Sequence, residues 1–170
     1  MIDMKQKLWC TGFNDFKKLV EINNWKSCLP EDIAVISIIN GEDCGIPEEY
    51  HLLNKSNQVL NLEFDDVSPE AFGLSDDSEC TRYDKDTVLK FFTNFQAREV
   101  IDFVESNINR NFFIHCSAGV SRSQAVTKFI LLNYSDRDWK LNPNNPIRFP
   151  NGFVYQKLCT VKREKDEKRN

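Results

Sequence analysis

The sequence predicts an α/β domain in which strands feed helices, and three stretches carry that prediction. Ile33-Ala34-Val35-Ile36-Ser37-Ile38-Ile39 is short, apolar and β-branched, the pattern of a buried strand. Residues 93–108 place apolar side chains at helical spacing behind a capping pattern. Residues 111–132 pass from an apolar strand-like run through small residues into a helix-like run. Such alternation belongs to layered folds with helices covering a sheet.

The remaining elements follow in order. Lys7-Leu8-Trp9-Cys10-Thr11 reads as a short first strand. Asn14 or Asp15 is placed to cap a helix reaching about Asn23. The Ile33–Ile39 strand closes at Asn40-Gly41, a turn pair. Val59-Leu60-Asn61-Leu62-Glu63-Phe64 alternates as a further strand. From Asp66 to Thr93 the connection is long, with Glu70, Asp76, Asp77, Glu79, Asp84 and Asp86 against Arg82, Lys85 and Lys90. It reads as a loop that can border a site as an acidic lid. Thr93-Asn94-Phe95-Gln96 is a capping box, and Ala97, Val100, Ile101, Val104 and Ile108 share the following helix's apolar face. A last helix starts near Asn151 and ends in a charged tail, 162–170, expected to fray.

The chain's 170 residues, 41% hydrophobic and 28% charged, fit one soluble domain spanning 1–170. A formal net charge of −4 gives no reason to expect nucleic acid or an anionic membrane as partner. No apolar run approaches the roughly 20 residues of a membrane span. Residues 1–7 lack the apolar core of a secretory signal. Six cysteines, at 10, 28, 44, 80, 116 and 159, show neither metal-ligand nor disulfide spacing. No metal or organic cofactor is implied. Free thiols fit the cytoplasm of the source or host cell. Nothing specifies an oligomer, so a monomer is the default.

The most informative stretch is His115-Cys116-Ser117-Ala118-Gly119-Val120-Ser121-Arg122-Ser123. Asn111-Phe112-Phe113-Ile114 leads in as a strand, and Gln124 to Leu132 leads out as a helix. A strand, a tight loop of small residues and a helix start form an anion cradle, where backbone N–H groups and positive potential meet one oxyanion. Arg122 adds a planar fork that binds two oxygens at once. Cys116 stands at the base of that cradle. A free thiol ionises at about pH 8.5, and a helix N-terminus beside a cation lowers that value. Phosphorus held above such a sulfur invites attack and a cysteinyl-phosphate.

This stretch resembles the signature of the cysteine-dependent protein tyrosine phosphatase superfamily. Ser-Ala-Gly-Val-Ser between Cys116 and Arg122 is most similar to the dual-specificity branch, and Phe64-Asp65-Asp66 resembles its compact bacterial and viral form. Marks of the resemblance span roughly residues 59–158. It implies a protein tyrosine phosphatase-like α/β fold: a central mixed sheet flanked by helices, with the catalytic loop between a strand and a helix. It implies Cys116 as nucleophile, Arg122 as phosphoryl clamp, and Ser117, Ala118, Gly119, Val120, Ser121 and Arg122 as the phosphate loop. Ser123 would stabilise the leaving thiolate, and His115 would hydrogen-bond near the loop. The residues alone leave His115 open to being a packed core histidine, and Ser123 to being a helix N-cap. Pro150-Asn151 resembles the segment that opens the last helix of dual-specificity phosphatases, where the asparagine braces the site. An ordinary N-cap is the alternative for Asn151.

The family also uses an aspartate as proton donor, on a loop after a strand. Here Phe64-Asp65-Asp66 ends one. Neighbouring side chains on an extended chain diverge, so only one aspartate faces a cleft. Counting back from Asp66 meets Phe64 and Leu62, while counting back from Asp65 meets Glu63 and Asn61. The apolar register favours Asp66 and leaves Asp65 as the alternative acid. Phe72, Tyr83, Phe91 and Phe92 are available to wall a pocket for a phosphotyrosine ring.

The expectation is a phosphoprotein phosphatase acting on phosphotyrosine and on phosphoserine or phosphothreonine. Alternatives are a phosphoprotein-binding pseudophosphatase, or a phosphatase for RNA 5′ ends or phosphoinositides. Relatives of the latter kind carry basic residues inside the loop, whereas Ser117, Ala118, Val120 and Ser121 are uncharged.

Overall fold

The computed structural model describes residues 6–40 and 57–169. In chain order the elements are β1 (Lys7–Gly12), α1 (Phe13–Ile22), β2 (Ile33–Ile39), β3 (Val59–Glu63), β4 (Cys80–Arg82), β5 (Val88–Lys90), α2 (Asn94–Ser106), β6 (Asn111–Cys116), α3 (Arg122–Asn133), β7 (Lys140–Leu141) and α4 (Gly152–Glu167). Five strands form one sheet in the order β3-β2-β6-β1-β7. This is the α/β sheet flanked by helices that the sequence predicts, with one difference. Among the described residues every neighbouring pair of this sheet is parallel, rather than mixed. Its crossovers through α1, α2 and α3 return each next strand in the same direction. The antiparallel pair, β4 with β5, stands apart as a small ribbon.

Alternation along β6 sorts its side chains between two layers. Phe112, Ile114 and Cys116 join the core under α2, α3 and α4, with Val100, Val126, Phe129 and Leu158. Phe113 packs on the other face, against Phe16 and Val20 of α1 and Trp25. His115 shares that second face and stacks on Phe16, ring centroids 4.1 Å apart. The central helix α3 is buried along almost its whole circumference, from Arg122 to Thr127 and at Phe129 and Ile130. Helices following the adjacent strands β1 and β6 thus leave toward opposite faces. That divergence opens a crevice at the strands' carboxyl ends, the usual ligand position in such sheets.

Four local expectations are corrected. The N-cap of α1 is Gly12, with no side-chain cap bond, so neither Asn14 nor Asp15 caps it. A Cβ at residue 12 would meet the Ala118 carbonyl oxygen at 2.9 Å, so the close backbone crossing decides the cap. The 162–170 tail does not fray at its start, because α4 continues to Glu167. Lys162 and Lys165 pair with Glu105 of α2 at 3.6 and 2.8 Å, which fastens that stretch. The connection after Asp66 is not a plain loop: it holds a 3₁₀ turn at Pro69–Phe72 and the β4–β5 ribbon. Phe91 and Phe92 do not wall the cradle at Cys116: Phe92 is buried in the core, Phe91 lines a separate cleft with Glu63, Thr93 and Phe95, and Tyr83 is largely exposed. Gly41 and Cys44 lie outside the described residues. The capping box stands as read: the Thr93 hydroxyl accepts from the Gln96 amide at 3.1 Å, and the Gln96 side chain accepts from the Thr93 amide at 3.1 Å.

Candidate active site

The loop between β6 and α3 is held from behind by β1. Register pairs Gly12 with Cys116, so both strands end at the same level. The Phe13 amide donates to the Ser117 carbonyl at 3.1 Å. Gly119 takes φ of +75°, and a Cβ there would lie 2.3 Å from the Gly12 nitrogen and 2.5 Å from the Thr11 carbonyl carbon. Only glycine satisfies both the left-handed backbone and the contact. The loop's shape is therefore set by a crossing between segments more than a hundred residues apart.

At its base the Cys116 sulfur is 2% exposed with its residue. The Gly119 amide donates to it at 3.2 Å, and the Ser123 hydroxyl lies 3.1 Å away. Those are donors that suit a thiolate. Ser123 is the second residue of α3, while Ser121 occupies the N-cap position. Its hydroxyl is thus committed to sulfur rather than to a cap. It also meets the Cys10 sulfur at 3.2 Å. Burial pushes the Cys10 thiol up to about 11, opposed by its bond with Ser123 and reinforced by neighbouring Cys116. Cys10 therefore stays a neutral thiol, and one of two adjacent sulfurs is kept from ionising.

Arg122 is 4% exposed. Its Nη1 donates to the Phe64 carbonyl at 2.7 Å and its Nη2 to the Ser117 hydroxyl at 3.1 Å. Its Nε is buried with no partner among the described residues. A buried guanidinium with an unused donor is costly unless an anion meets it. Here the fork is fixed in place with a donor to spare.

The two aspartates after β3 separate as their register requires. Asp66 is exposed, and its Oδ1 accepts from the Ser121 hydroxyl at 2.8 Å and the Asn151 amide nitrogen at 2.7 Å. Asp65 turns to β5, where its Oδ2 accepts from the Lys90 amide at 2.7 Å. Asn151 takes both roles considered for it. Its Oδ1 caps α4 through the Val154 amide at 3.0 Å while its Nδ2 holds Asp66, and its own amide donates to the Ser121 carbonyl at 3.1 Å. Thus Cys116, Ser117, Ser121, Arg122, Ser123, Asp66 and Asn151 come together. Val120 is 47% exposed on the loop, and Ala118 is exposed beside it. His115 points to the opposite face of the sheet from Cys116, among aromatic rings.

Two supports were not foreseen. Gln124 Oε1 accepts from the amides of Arg148 and Phe149 at 2.8 and 2.9 Å, tying the segment before α4 to the loop. Asn145 Nδ2 donates to the carbonyls of Gly119 at 2.8 Å and Cys10 at 3.0 Å. Long-range amide contacts of this kind leave no local pattern. The only sequence signal for Gln124 is its place one residue beyond the signature.

No family model matches the chain. No curated protein matches it either. Among solved structures the chain is similar to the crystal structure of PTPMT1, at 16% identity and a TM-score of 0.44, over 97% of this chain and 99% of that one. It is similar also to PTPMT1 in complex with PI(5)P, at 13% identity and a TM-score of 0.42, over 96% of each chain. Both likenesses are distant, so the chemistry of the site is read from its own atoms.

Proposed function

We propose that this chain is a cysteine-dependent phosphatase that hydrolyses phosphotyrosine and phosphoserine or phosphothreonine in proteins. The observation that carries the reading is the Cys116 sulfur, seated between the Gly119 amide and the Ser123 hydroxyl beside a buried, anchored Arg122. The Cys116 thiolate attacks phosphorus, and the P–O bond to the substrate breaks. Asp66 gives its proton to the departing oxygen. Water then attacks the cysteinyl-phosphate, Asp66 takes a proton from it, and the thiolate leaves onto the Ser123 hydroxyl. Arg122 holds the phosphoryl oxygens as their geometry inverts.

Protein rather than RNA or inositol phosphate substrates are supported by the uncharged loop, Ser117-Ala118-Gly119-Val120-Ser121, which offers no extra cation for a polyanionic ligand. The test is steady-state hydrolysis of p-nitrophenyl phosphate and of phosphotyrosyl and phosphothreonyl peptides by the chain and by Cys116→Ser. The expected result is turnover by the first and a loss of about 10⁴-fold or more in the second. Tight peptide binding without turnover by the unaltered chain would make it a phosphoprotein-binding module instead.

A further inference from the structure

Beside the phosphate cradle lies a second cleft of about 550 Å³, and its lining is polar. Ser117 and Ala118, the two residues after Cys116, form its shared wall with the cradle. Its other walls are the first turns of α1 and the Asn142–Asn145 segment that follows β7. It therefore occupies the crevice where the chain leaves β1 and β6 toward opposite faces.

Three observations mark it as built for a ligand. Thr11 and Asn142 line it and are 6% and 8% exposed. Asn142 Oδ1 accepts from the Asn144 amide at 2.9 Å, but among the described residues its Nδ2 and the Thr11 hydroxyl make no hydrogen bond. Both residues are largely buried, and their unpaired groups keep contact with solvent at the cleft they line, where a ligand's polar atoms can replace water. Moreover, α1 opens on this cleft with no side-chain cap; the Phe13 amide is committed to the Ser117 carbonyl at 3.1 Å, which leaves the amides of Asn14 and Asp15 as donors. The charges cancel: Lys18 and Asp15 pair at 3.4 Å, and the remaining polar lining is neutral.

We propose that this cleft binds the main chain of the substrate peptide next to its phosphorylated residue. Carboxamides present one donor and one acceptor in a plane, the complement of a peptide group. Asn142 and the nearby Asn14 and Asn144 supply them, and the open amides of α1 suit a peptide carbonyl. With its charges balanced, the cleft has no surplus cation for a second phosphate. The proposal deepens the phosphatase reading and rests on it. It adds where the flanking chain runs: over Ser117 and Ala118, toward α1 and away from Asp66.

The test compares kcat/KM for a short phosphotyrosyl peptide, for p-nitrophenyl phosphate, which has nothing beyond its ring, and for glycerol phosphate. Thr11→Val removes the hydroxyl at constant shape. Asn142→Asp keeps the acceptor that the Asn144 amide needs and removes the donor. Thermal melting verifies that both variants fold. Each is expected to lower the ratio of peptide to p-nitrophenyl phosphate kcat/KM by about 3–10-fold, chiefly through KM. An unchanged ratio in both variants overturns the proposal. An equal fall in the glycerol phosphate ratio also overturns it, because the cleft then serves a polyol. Absence of p-nitrophenyl phosphate hydrolysis by the unaltered chain is a separate result, one that removes the phosphatase reading beneath it.

Discussion

The loop at 116–123 and the connection at 67–92 both border Asp66, yet they are held in opposite ways. The loop is fixed by distant parts of the chain. Gly12 crosses Gly119, Asn145 and Gln124 reach its carbonyl, and Phe64 anchors Arg122. The connection is fixed mostly by itself. Asp84 accepts from the amides of Asp86 and Thr87 at 2.9 Å, and the β4–β5 ribbon pairs with itself. Its main ties outward are Asp65 with Lys90, the buried pair Phe91 and Phe92, and Lys157 of α4, whose ammonium donates to the Asp76 carbonyl at 2.6 Å. The lesson concerns where rigidity is placed. Groups that must hold a transition state are over-determined, whereas the acidic border is a locally closed unit that can vary without disturbing them.

The sharpest way to break this contrast lies at its boundary. Asp66→Asn is expected to slow kcat by about 10²–10⁴-fold on a phosphotyrosyl peptide. It should cost much less on p-nitrophenyl phosphate, whose leaving group needs little protonation. Asp65→Asn should cost far less on both, because that carboxylate is engaged with the Lys90 amide rather than with Ser121 and Asn151. A large loss in Asp65→Asn with a near-normal Asp66→Asn would place the acid one residue earlier.

Within the loop, Gly119→Ala combines a left-handed backbone with a contact at 2.3 Å. A loss of about 2–4 kcal/mol is expected in urea unfolding, with activity falling as well. A variant as stable and active as the parent would mean that the crossing with Gly12 does not set the loop. In the connection, the equivalent disturbance should be mild. Asp84→Ala removes a turn but touches nothing in the cradle, so kcat/KM should stay within about twofold.

The same carboxylate gives the smallest effect. The hydrogen bond from the Asp86 amide, followed by that from the Thr87 hydroxyl, holds Asp84 below the usual carboxylate range. A carboxylate depressed in the folded state stabilises the fold above its unfolded value of about 3.9, and the contribution is lost as pH falls through the folded one. The protection factors of the Asp86 and Thr87 amides, taken against the intrinsic exchange rate at each pH, should therefore fall on acidification below about pH 4, ahead of any change at Gly119. Simultaneous loosening of both would contradict the separation of the two regions.

The contrast also explains what was legible in the sequence. Strong local patterns read through: the β-branched Ile33–Ile39, the Thr93 capping box, and the Leu62-Phe64-Asp66 register that separates the two aspartates. Cys116, Arg122 and Ser123 stood out because their spacing is itself the geometry. Elements decided by contact did not read through. Gly12 caps α1 because of a neighbour at residue 118, and Phe91 and Phe92 belong to the core although they sit in a charged stretch. Residues 162–167 look like a solvated end until Glu105 of α2 is placed opposite them. Cys10, Gln124 and Asn145 support the loop through amide, carbonyl and sulfur contacts across the fold, and no periodicity encodes those.

The central claim is that Cys116 carries the phosphoryl group. Rapid acid quench of the chain turning over a phosphotyrosyl peptide, followed by proteolysis and mass spectrometry, tests it directly. The account predicts a phosphate on the peptide containing Cys116, formed as fast as dephosphorylated peptide first appears and absent in Cys116→Ser. Turnover that continues in Cys116→Ser, or with phosphate found on another residue, would contradict it.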